Sequence, residues 1–316
     1  MYRENGIRGG LLGTMERKAM NVSIRSFFRE ANNNALRFLP IAARRHLLFI
    51  RSHKRLLIGS PQTFSEKIQW RIIHDRRYQI AVGGDKLAMK DLAESKYPDI
   101  AVPETLWHGT ELESIADVDW GCEWVLKPIG GTGHAAFGAG TLAASGIDLA
   151  EVKAWPYRNP FELFGEWAYG QARPGFLIER RIPTADGNSP ADLRFFVFDG
   201  EVQLIQVDTP RVEEVARRFY TPNWEPLDVR QGGKRLGEVQ PTPENLGEML
   251  EAAKNIGSGY DFVRVDLYAS GRKIYFGEIT PYPTAGLARW DPVSFDAHLG
   301  SYWRLPSRST VSLLSQ

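Results

Sequence analysis

The sequence is poor in cysteine and in long apolar segments. Cys122 is the only cysteine among 316 residues, so an internal disulfide and a cysteine-based zinc site are both excluded. No apolar run approaches the roughly 20 residues that a membrane-spanning helix needs. The first twenty residues show neither an apolar segment nor a cleavage pattern, and we expect no signal peptide. These absences predict a soluble globular protein in the reducing cytoplasm.

A dinucleotide-binding fingerprint is also missing, because no G-x-G-x-x-G motif follows a predicted strand. The chain does have a large apolar content. Hydrophobic residues make up 43% of it, which excludes a mainly disordered protein. Its length allows one large domain or two modest ones, each with a hydrophobic core.

Basic residues are concentrated at the start of the chain. Residues 1–60 contain twelve Lys and Arg but only three Glu, whereas the whole chain has a net charge of +1. Residues 61–316 are therefore acidic. The basic segment is able to contact an anionic polymer, a membrane surface or the acidic remainder of the protein. Nucleic acid is the least favoured partner, since no zinc-knuckle, RRM or helix-turn-helix signature accompanies the charge.

Hydrophobic periodicity predicts an α+β chain with antiparallel hairpins. Asp85 follows two glycines and is suited to cap a helix. Turn signals at Asp199-Gly200 and Ser270-Gly271 each separate two segments of strand character, which predicts two hairpins. The predicted helices are residues 24–31, a stretch after Pro40 that carries Leu47, Leu48 and Ile50, and residues 64–73, 85–96 and 243–256. The predicted strands are residues 124–127, 176–179, 193–198, 202–207, 262–268 and 273–279.

The second hairpin carries the most informative side chains. Alternation along its first strand places Arg264, Asp266 and Tyr268 on one face. Glu278 and Thr280 share a face of the returning strand, and this face coincides with that of Asp266 if the connecting loop has an odd number of residues. Two carboxylates and a hydroxyl would then offer hard oxygen ligands to Mg²⁺ beside an arginine. The alternative is a surface ion pair between Arg264 and Glu278.

Three further charged residues occupy positions that are common in nucleotide sites. Lys127 ends an apolar strand and precedes the glycine-rich segment 130–134, whose backbone N–H groups are able to cradle a phosphate. Lys86 lies at the start of the helix that Asp85 caps, a position that attracts anions. Glu179 ends another apolar strand, beside which an adenine would fit. Each also has an ordinary explanation: a common loop, a solvated lysine or a surface carboxylate.

The order of these motifs is more specific than any one of them. Asp85-Lys86 is followed by Lys127-Pro128, the glycine-rich loop, and the segments at residues 179–182, 192–200, 264–266 and 276–280. This succession resembles the ATP-grasp superfamily. Residues 63–70 and 276–283 resemble more narrowly its teichuronopeptide-biosynthesis (TupA-like) branch, and the resemblance covers about residues 61–306.

The resemblance implies an ATP-grasp fold, in which two α+β subdomains hold ATP between antiparallel sheets. A basic, mainly helical extension would precede it. The implied divisions are residues 1–60 for the extension, 61–118 for a region before the ATP-grasp fold, 119–182 for the first subdomain with the glycine-rich loop, and 183–316 for the second subdomain with the metal site.

The resemblance also implies a set of nucleotide-binding residues. One of them, Arg194, stands where a lysine is commoner in this branch. The implied contacts are Lys86 and Lys127 with the ATP phosphates, Gly130, Gly131, Thr132, Gly133 and His134 as the loop over the triphosphate, Glu179 and the Ile182 backbone with adenine, Asp186 with ribose, and Arg194 near the γ-phosphate.

The implied magnesium ligands are Asp266, Glu278 and Thr280, with threonine where many relatives have asparagine. Arg264 is implied to stabilise the acyl phosphate and the tetrahedral intermediate. Together with Lys127 and Arg194 it completes the implied catalytic set.

The implied reaction has two steps. ATP phosphorylates a carboxylate, and an amine then displaces phosphate from the acyl phosphate to form an amide. Phosphoryl transfer mainly requires positioning and charge neutralisation, which Lys86, Lys127, Arg194 and one or two Mg²⁺ ions would provide. The resemblance implies a sugar acid of a bacterial surface polysaccharide as the carboxylate and an amino acid as the amine. Tyr282, Thr284, Gly286 and Trp290 are candidates for the acceptor side, the alternative being a packed core.

Other functions are open on the sequence alone. A glycosyltransferase would commonly hold a metal on an Asp-x-Asp motif, and Asp117-Val118-Asp119 fits that loose pattern in a polar stretch typical of a solvated turn. A nucleotide-binding scaffold that docks a polymer through residues 1–60 would need no catalysis. A kinase that stops at the acyl phosphate would need no amine.

Overall fold

The computed structural model describes residues 36–158, 163–184, 190–209 and 215–307. The helix predicted at residues 24–31 and the predicted ribose-binding residue Asp186 lie outside these ranges. Within them the chain is an α+β protein built on antiparallel sheets, which confirms the expected fold class. No helix in the described ranges combines the length and the apolar character that crossing a membrane requires.

Three of the seven helices in the described residues begin after a residue whose side chain accepts free backbone N–H groups. In the described residues the helices are α1 (Ile41–His53), α2 (Phe64–His74), α3 (Tyr78–Val82), α4 (Lys86–Lys96), α5 (Leu149–Ala154), α6 (Leu246–Gly257) and α7 (Ser294–Ser301). Thr63 and Glu66 form a capping box before α2, and Asp85 accepts two N–H groups at the start of α4. Helix α6 begins at Leu246 rather than at Pro243, because the Leu246 N–H closes a turn onto the Pro243 carbonyl.

The first sheet presents Lys127 and Glu179 on one face. Its strands are β1 (Thr105–Gly109), β2 (Glu123–Pro128), β3 (Ala136–Ala139) and β4 (Phe176–Arg180), in the order β1-β4-β2-β3. In the antiparallel pairing of β2 with β4, Lys127 lies opposite Leu177. Lys127 and Glu179 are therefore diagonal neighbours, while Trp124 and Leu126 pack into a core on the other face.

The second sheet is formed later in the chain. It contains β5 (Ala191–Phe198), β6 (Glu201–Thr209), β7 (Ala216–Tyr220), β8 (Pro226–Leu227), β10 (Phe262–Ser270) and β11 (Lys273–Thr280) in the order β11-β10-β5-β6-β7-β8, and β9 (Arg230–Gln231) pairs separately with β12 (Trp290–Asp291). Both predicted hairpins are present. Asp199 and Gly200 have positive φ angles of 47° and 79°, as the tight turn between β5 and β6 requires.

The two faces of β10 have different environments. Val263 and Val265 are fully buried, and their face packs against α6. The opposite face begins with Phe262, whose ring meets that of Phe64 from α2 at a centroid distance of 4.9 Å. Further along this second face stands Asp266. Burial of the valine face therefore turns the polar side chains of β10 toward the other side of the sheet.

Helix α1 is held to the core by a buried arginine. Arg45 is fully buried and donates to Gln69 Oε1 at 2.8 Å, to the Phe164 carbonyl at 3.0 Å and to the Ala285 carbonyl at 2.5 Å. One of the basic residues of the predicted extension is thus enclosed by the protein and does not face solvent.

Candidate active site

A β-bulge at Gly277 brings the two predicted metal ligands into register. The loop between β10 and β11 has two residues and not the odd number that the sequence interpretation required. With an even loop and regular pairing, Gly277 would lie opposite Asp266. The register shifts just after Asp266, so that Glu278 is its partner across the strands. The extra residue in β11, and not the length of the loop, therefore places Glu278 opposite Asp266.

Position 277 has room for glycine but not for a residue with a side chain. A Cβ at this position would lie 2.8 Å from the backbone oxygen of Asp266 and 2.9 Å from the ring of Tyr268. A Cβ atom essentially never makes non-bonded contacts this short, so a side chain here would displace one strand from the other.

Arg264 connects the polar side chains of the hairpin. Its guanidinium donates to both oxygens of Asp266 at 2.7 and 2.6 Å, to Glu278 at 3.1 Å and to the Thr280 hydroxyl at 3.0 Å. Arg264 is 7% exposed and Asp266 is 3% exposed. The alternative of a surface ion pair between Arg264 and Glu278 is therefore wrong, because the guanidinium is enclosed within a cluster of oxygens.

The two carboxylates differ in their titration. Burial raises the pKa of Asp266 to about 7, with the charge of Glu278 acting in the same direction and Arg264 opposing it. Burial alone would raise the pKa of Glu278 as well, but Arg264 and Lys86 hold it below its usual value. The pair thus places one firmly ionised carboxylate beside one that is costly to ionise without a further cation.

A second ionic network extends across the sheet from this hairpin. Arg194 lies opposite Asp266 in the pairing of β5 with β10, at 3.5 Å from its carboxylate. Arg194 also contacts Asp192 at 2.6 Å and Asp208 at 3.1 Å, and Arg217 donates twice to Asp208 at 2.6 Å. Burial would lower the pKa of Arg194, but these three carboxylates raise it above its ordinary value. Arg194 is therefore a permanent cation that holds acidic groups of three strands together.

Across from this network, two lysines contact Glu179. Lys127 Nζ donates to one carboxylate oxygen, and Lys90 Nζ lies 2.9 Å from the other. Glu179 is 5% exposed; burial alone would raise its pKa, but Lys127 and Lys90 lower it below its usual value. Glu179 is thus a fully charged acceptor within the protein.

Lys86 is joined to the glycine-rich loop. Its backbone N–H donates to the Ile129 carbonyl at 3.1 Å, and its Nζ donates to the Gly131 carbonyl at 2.7 Å. Gly130 forms a bridge with Asp85. Burial lowers the pKa of Lys86 to about 8, with Lys127 acting in the same direction and Glu278 opposing it. The first lysine, the loop and the hairpin carboxylates are therefore electrostatically coupled.

The loop itself has the backbone freedom of glycine. Gly131 and Gly133 have φ angles of +89° and +79°, with open space around the position of a Cβ, while Thr132 is exposed. The His134 ring stacks on Trp155 at a centroid distance of 5.5 Å, which anchors the far end of the loop. At its near end the loop is held by the contact of Lys86 with the Gly131 carbonyl. Between this contact and the His134 ring, the glycines leave the backbone N–H groups uncovered by side chains of their own.

A cleft of about 580 Å³ separates the two sheets, within the range of small-molecule sites. Lys127, Glu179 and Ile182 line it from the first sheet, and Arg194 and Tyr268 line it from the second. The structure therefore assembles residues that are distant in the sequence around one cavity.

The hairpin offers oxygen atoms of the kind that bind Mg²⁺. Among the described residues no three His, Cys, Asp or Glu side chains form a metal-binding group. Mg²⁺ is commonly held by one or two carboxylates, with waters and substrate phosphates completing its ligands. Asp266 and Glu278 supply two carboxylates, and the Thr280 hydroxyl lies 2.9 Å from Glu278. The residues present fit magnesium bound together with a nucleotide.

Several charged residues of this region were missed by the sequence interpretation. Lys90 had a usable signal, because Lys86 and Lys90 are four residues apart on one helix and share a face. Asp192 and Arg194 had a similar signal, because they are two residues apart on one strand and therefore share a face. Arg173, which holds Asp85 at 2.8 Å, had none, since only the folded chain brings it to the start of α4.

The candidate acceptor residues are divided by the structure. Tyr282, Gly286 and Trp290 are buried in the core, as the packing alternative proposed. Thr284 is exposed and has a positive φ of 53°, a strained conformation for a β-branched residue. It is the member of this set that a ligand is able to reach.

The Asp-x-Asp segment is an exposed turn. Asp117 and Asp119 are both solvent-exposed, and the Asp119 carboxylate accepts the Gly121 N–H at 2.9 Å. Neither aspartate lines the cleft described above. This geometry gives the motif an ordinary turn-stabilising role.

The sequence matches the protein-family model described as TupA-like ATPgrasp over residues 66–304. The chain therefore belongs to the TupA-like ATP-grasp family. The match begins within α2, so α1 and its buried Arg45 precede it.

Solved structures similar to this chain include a ligase that carries the ATP-grasp name, a second ligase and a macrocyclase. They are the ATP-grasp ligase PsnB complexed with minimal precursor (13% identity, 65% of this chain and 54% of that chain, TM-score 0.35), the D-alanine–D-alanine ligase from Bacillus anthracis (17%, 73% and 68%, TM-score 0.40) and the macrocyclase MdnC bound with precursor peptide MdnA from Microcystis aeruginosa MRC (12%, 67% and 61%, TM-score 0.36). This chain thus spans little more than half of the PsnB chain. Among curated proteins no match was found.

Proposed function

We propose that this protein is an ATP-dependent carboxylate–amine ligase that forms an amide through an acyl phosphate. The observation that carries the proposal is the enclosed cluster in which Arg264 meets Asp266, Glu278 and Thr280. The cleft lined by Lys127 and Glu179 reaches this cluster through Arg194, which also lines the cleft and lies 3.5 Å from Asp266. Family membership supports the same reading.

In this proposal ATP lies between the two sheets. Its adenine contacts Glu179 and the Ile182 backbone, and its phosphates extend toward Lys86 and Lys127, under the loop of residues 130–134. Arg194 lies near the γ-phosphate, and its contact with Asp266 also ties the cleft to the metal residues. Cationic groups at these positions would neutralise the triphosphate at little reorganisation cost, because folding has already placed them.

Asp266, Glu278 and Thr280 would hold Mg²⁺, which neutralises charge on the phosphates when bound. Arg264 is the residue that orients these ligands, since it donates to all three. In the proposed chemistry a carboxylate oxygen attacks the γ-phosphorus and ADP leaves. The amine nitrogen then attacks the acyl carbon, the bond to the phosphate oxygen breaks, and the nitrogen loses a proton. Arg264 stabilises the negative charge that develops on the acyl oxygen.

For the substrates we propose a sugar acid of a surface polysaccharide or its precursor and an amino acid. The exposed Thr284, four residues beyond Thr280, is the candidate contact on the acceptor side. The basic start of the chain is proposed to contact an anionic glycan or a membrane surface. Because Arg45 is buried, a deletion of residues 1–35 tests this contact more cleanly than a deletion of residues 1–60.

The proposal is tested by ADP release over a panel of uronic acids and amino acids. We expect Lys127→Ala, Asp266→Asn and Glu278→Gln each to abolish ADP formation while the circular dichroism spectrum stays unchanged. Glu94→Gln, on an exposed position of α4, is the matched control and is expected to retain full activity.

Wild-type turnover in all three site variants would contradict the assignment. ADP release that needs the carboxylate but not the amine would indicate a kinase. Heat protection by a UDP- or GDP-sugar, and not by ATP with Mg²⁺, would favour a glycosyltransferase.

A further inference from the structure

Lys90 is a buried lysine whose ammonium group has an acceptor for each of its three N–H donors. It is 8% exposed, and its Nζ donates to the Pro103 carbonyl at 2.8 Å and to the Thr105 hydroxyl at 3.0 Å. The third partner is Glu179, at 2.9 Å. An ammonium has three N–H donors, and each of them has an acceptor here. Lys90 is therefore fixed in place and has no donor to offer to a ligand.

Lys127 is placed differently, although it contacts the same carboxylate. Its side chain is 25% exposed and lines the cleft, and its described hydrogen bond is the one to Glu179. A lysine in this position is able to turn toward an anionic ligand in the cleft. When it does so, Glu179 keeps one cation, which is Lys90.

A buried carboxylate without a cation is expensive to keep ionised. Burial alone would raise the pKa of Glu179, and the two lysines lower it. If Lys127 turned to a triphosphate and Lys90 were absent, the carboxylate would lose both. It would then bind a proton or rotate away, and its capacity to accept a hydrogen bond in the cleft would be lost.

We propose that Lys90 is a positioning residue that keeps Glu179 ionised and directed into the cleft, so that the site selects a nucleobase with an exocyclic amino group. The inference rests on the proposed function, which places the base beside Glu179. An ionised carboxylate only accepts hydrogen bonds. It therefore pairs with the amino group of adenine and repels the carbonyl oxygen that hypoxanthine carries at the same ring position.

The test compares the binding of ATP and of ITP by calorimetry, without acceptor substrates. The two nucleotides differ at ring position 6, which faces Glu179 in this proposal, and at the neighbouring ring nitrogen, which accepts a hydrogen bond in adenine and carries a hydrogen in hypoxanthine. The change in preference between wild type and a Lys90 variant therefore reports on Glu179, because the second difference is the same in both proteins. Wild-type protein is expected to prefer ATP. Lys90→Gln, which retains polar donors, and Lys90→Met, which fills the same space without them, are each expected to reduce the preference by about tenfold or more, since hydrogen bonds to charged groups contribute about 1.5–3 kcal/mol.

The loss is expected in ATP affinity, with ITP affinity unchanged. Lys90→Arg retains the positive charge and is expected to restore most of the preference. Lys96→Gln, on an exposed position of the same helix, is the control and is expected to behave as wild type. A purely structural role of Lys90 would lower the melting temperature and weaken ATP and ITP binding equally.

The outcomes separate the two proposals. A neutral variant that folds and prefers ATP as strongly as wild type overturns the role of Lys90. Wild-type protein that binds neither nucleotide overturns the proposed nucleotide site itself. Wild-type protein that binds both equally leaves that site standing and overturns the selection of the base by Glu179 and Lys90. The use of two neutral variants with different packing keeps the test decisive if one of them fails to fold.

Discussion

Replacing Gly277 by alanine would test whether the β-bulge sets the geometry of the candidate site. The added Cβ would meet the Asp266 carbonyl oxygen at 2.8 Å and the Tyr268 ring at 2.9 Å. Strand β10 has little freedom to move away, because it is paired with β5 on one side and β11 on the other. The strain must therefore be taken up between the two strands of the hairpin.

The expected magnitude follows from this geometry. Overpacking of a well-packed region costs about 1–3 kcal/mol, and the free energy of unfolding is expected to fall by that amount. The backbone that the new methyl group meets is that of Asp266, one of the two carboxylates among the three proposed magnesium ligands. A displacement of about 1 Å is able to reduce a reaction rate about 100-fold, so Mg²⁺-dependent ADP formation is expected to fall by a similar factor.

The assays are urea unfolding followed by tryptophan fluorescence and ADP release as a function of Mg²⁺ concentration. Gly247→Ala is the matched control, because its Cβ would meet no atom within 4 Å. Gly247 lies in α6, where alanine is favoured over glycine by up to about 1 kcal/mol. This control is expected to be at least as stable as wild type and fully active. A Gly277→Ala variant with wild-type stability and wild-type Mg²⁺ dependence would refute the reasoning.

Three further predictions concern charges within the protein. Burial lowers the pKa of Lys86 to about 8, so ATP affinity measured by calorimetry is expected to fall as the pH rises through about 8 and the ammonium loses its charge. Lys86→Arg is expected to remove this pH dependence, because arginine stays charged. A wild-type ATP affinity that does not change with pH would contradict the prediction. Burial raises the pKa of Glu166 from 4.5 to about 7, so the native state binds a proton that the unfolded chain releases in this range. The free energy of unfolding of the wild-type protein is therefore expected to fall by about 3 kcal/mol as the pH rises from 4.5 to 7. In Glu166→Gln this contribution to the pH dependence is expected to be absent. If the free energy of unfolding changed with pH in the same way in both proteins, the raised pKa of Glu166 would be excluded. Arg45→Met would remove the donor that Arg45 supplies to the Phe164 carbonyl and to Gln69 Oε1, whereas the Ala285 carbonyl would keep its hydrogen bond from Gln69. Urea unfolding is expected to show a loss of at least about 3 kcal/mol, and a loss below about 0.5 kcal/mol would show that these contacts matter little.

Much of the fold was predictable from local patterns. Alternation along 262–268 predicted which side chains share a face, and the structure places Arg264 and Asp266 together on it. The cap at Asp85 predicted the start of α4 at Lys86. These features depend on neighbours within a few residues, and the printed sequence displays such neighbours directly.

The pairing register of the hairpin was not predictable in the same way. The sequence interpretation required an odd loop, whereas the loop has two residues and the extra residue is Gly277 in β11. A bulge is decided by steric contacts between two strands, and a glycine in a strand does not reveal in advance whether it forms one.

By itself the amino-acid sequence determined the two hairpins, the start of α4, the polar and apolar faces of β10, and the succession of motifs that resembles the ATP-grasp superfamily. Strands β1, β3 and β7 were not predicted. The tertiary structure alone decided which charges meet. Lys127 and Glu179 are 52 residues apart, and Arg45 and Ala285 are 240 residues apart. Ionic contacts form wherever packing of apolar faces leaves opposite charges adjacent, and that packing depends on the whole chain at once.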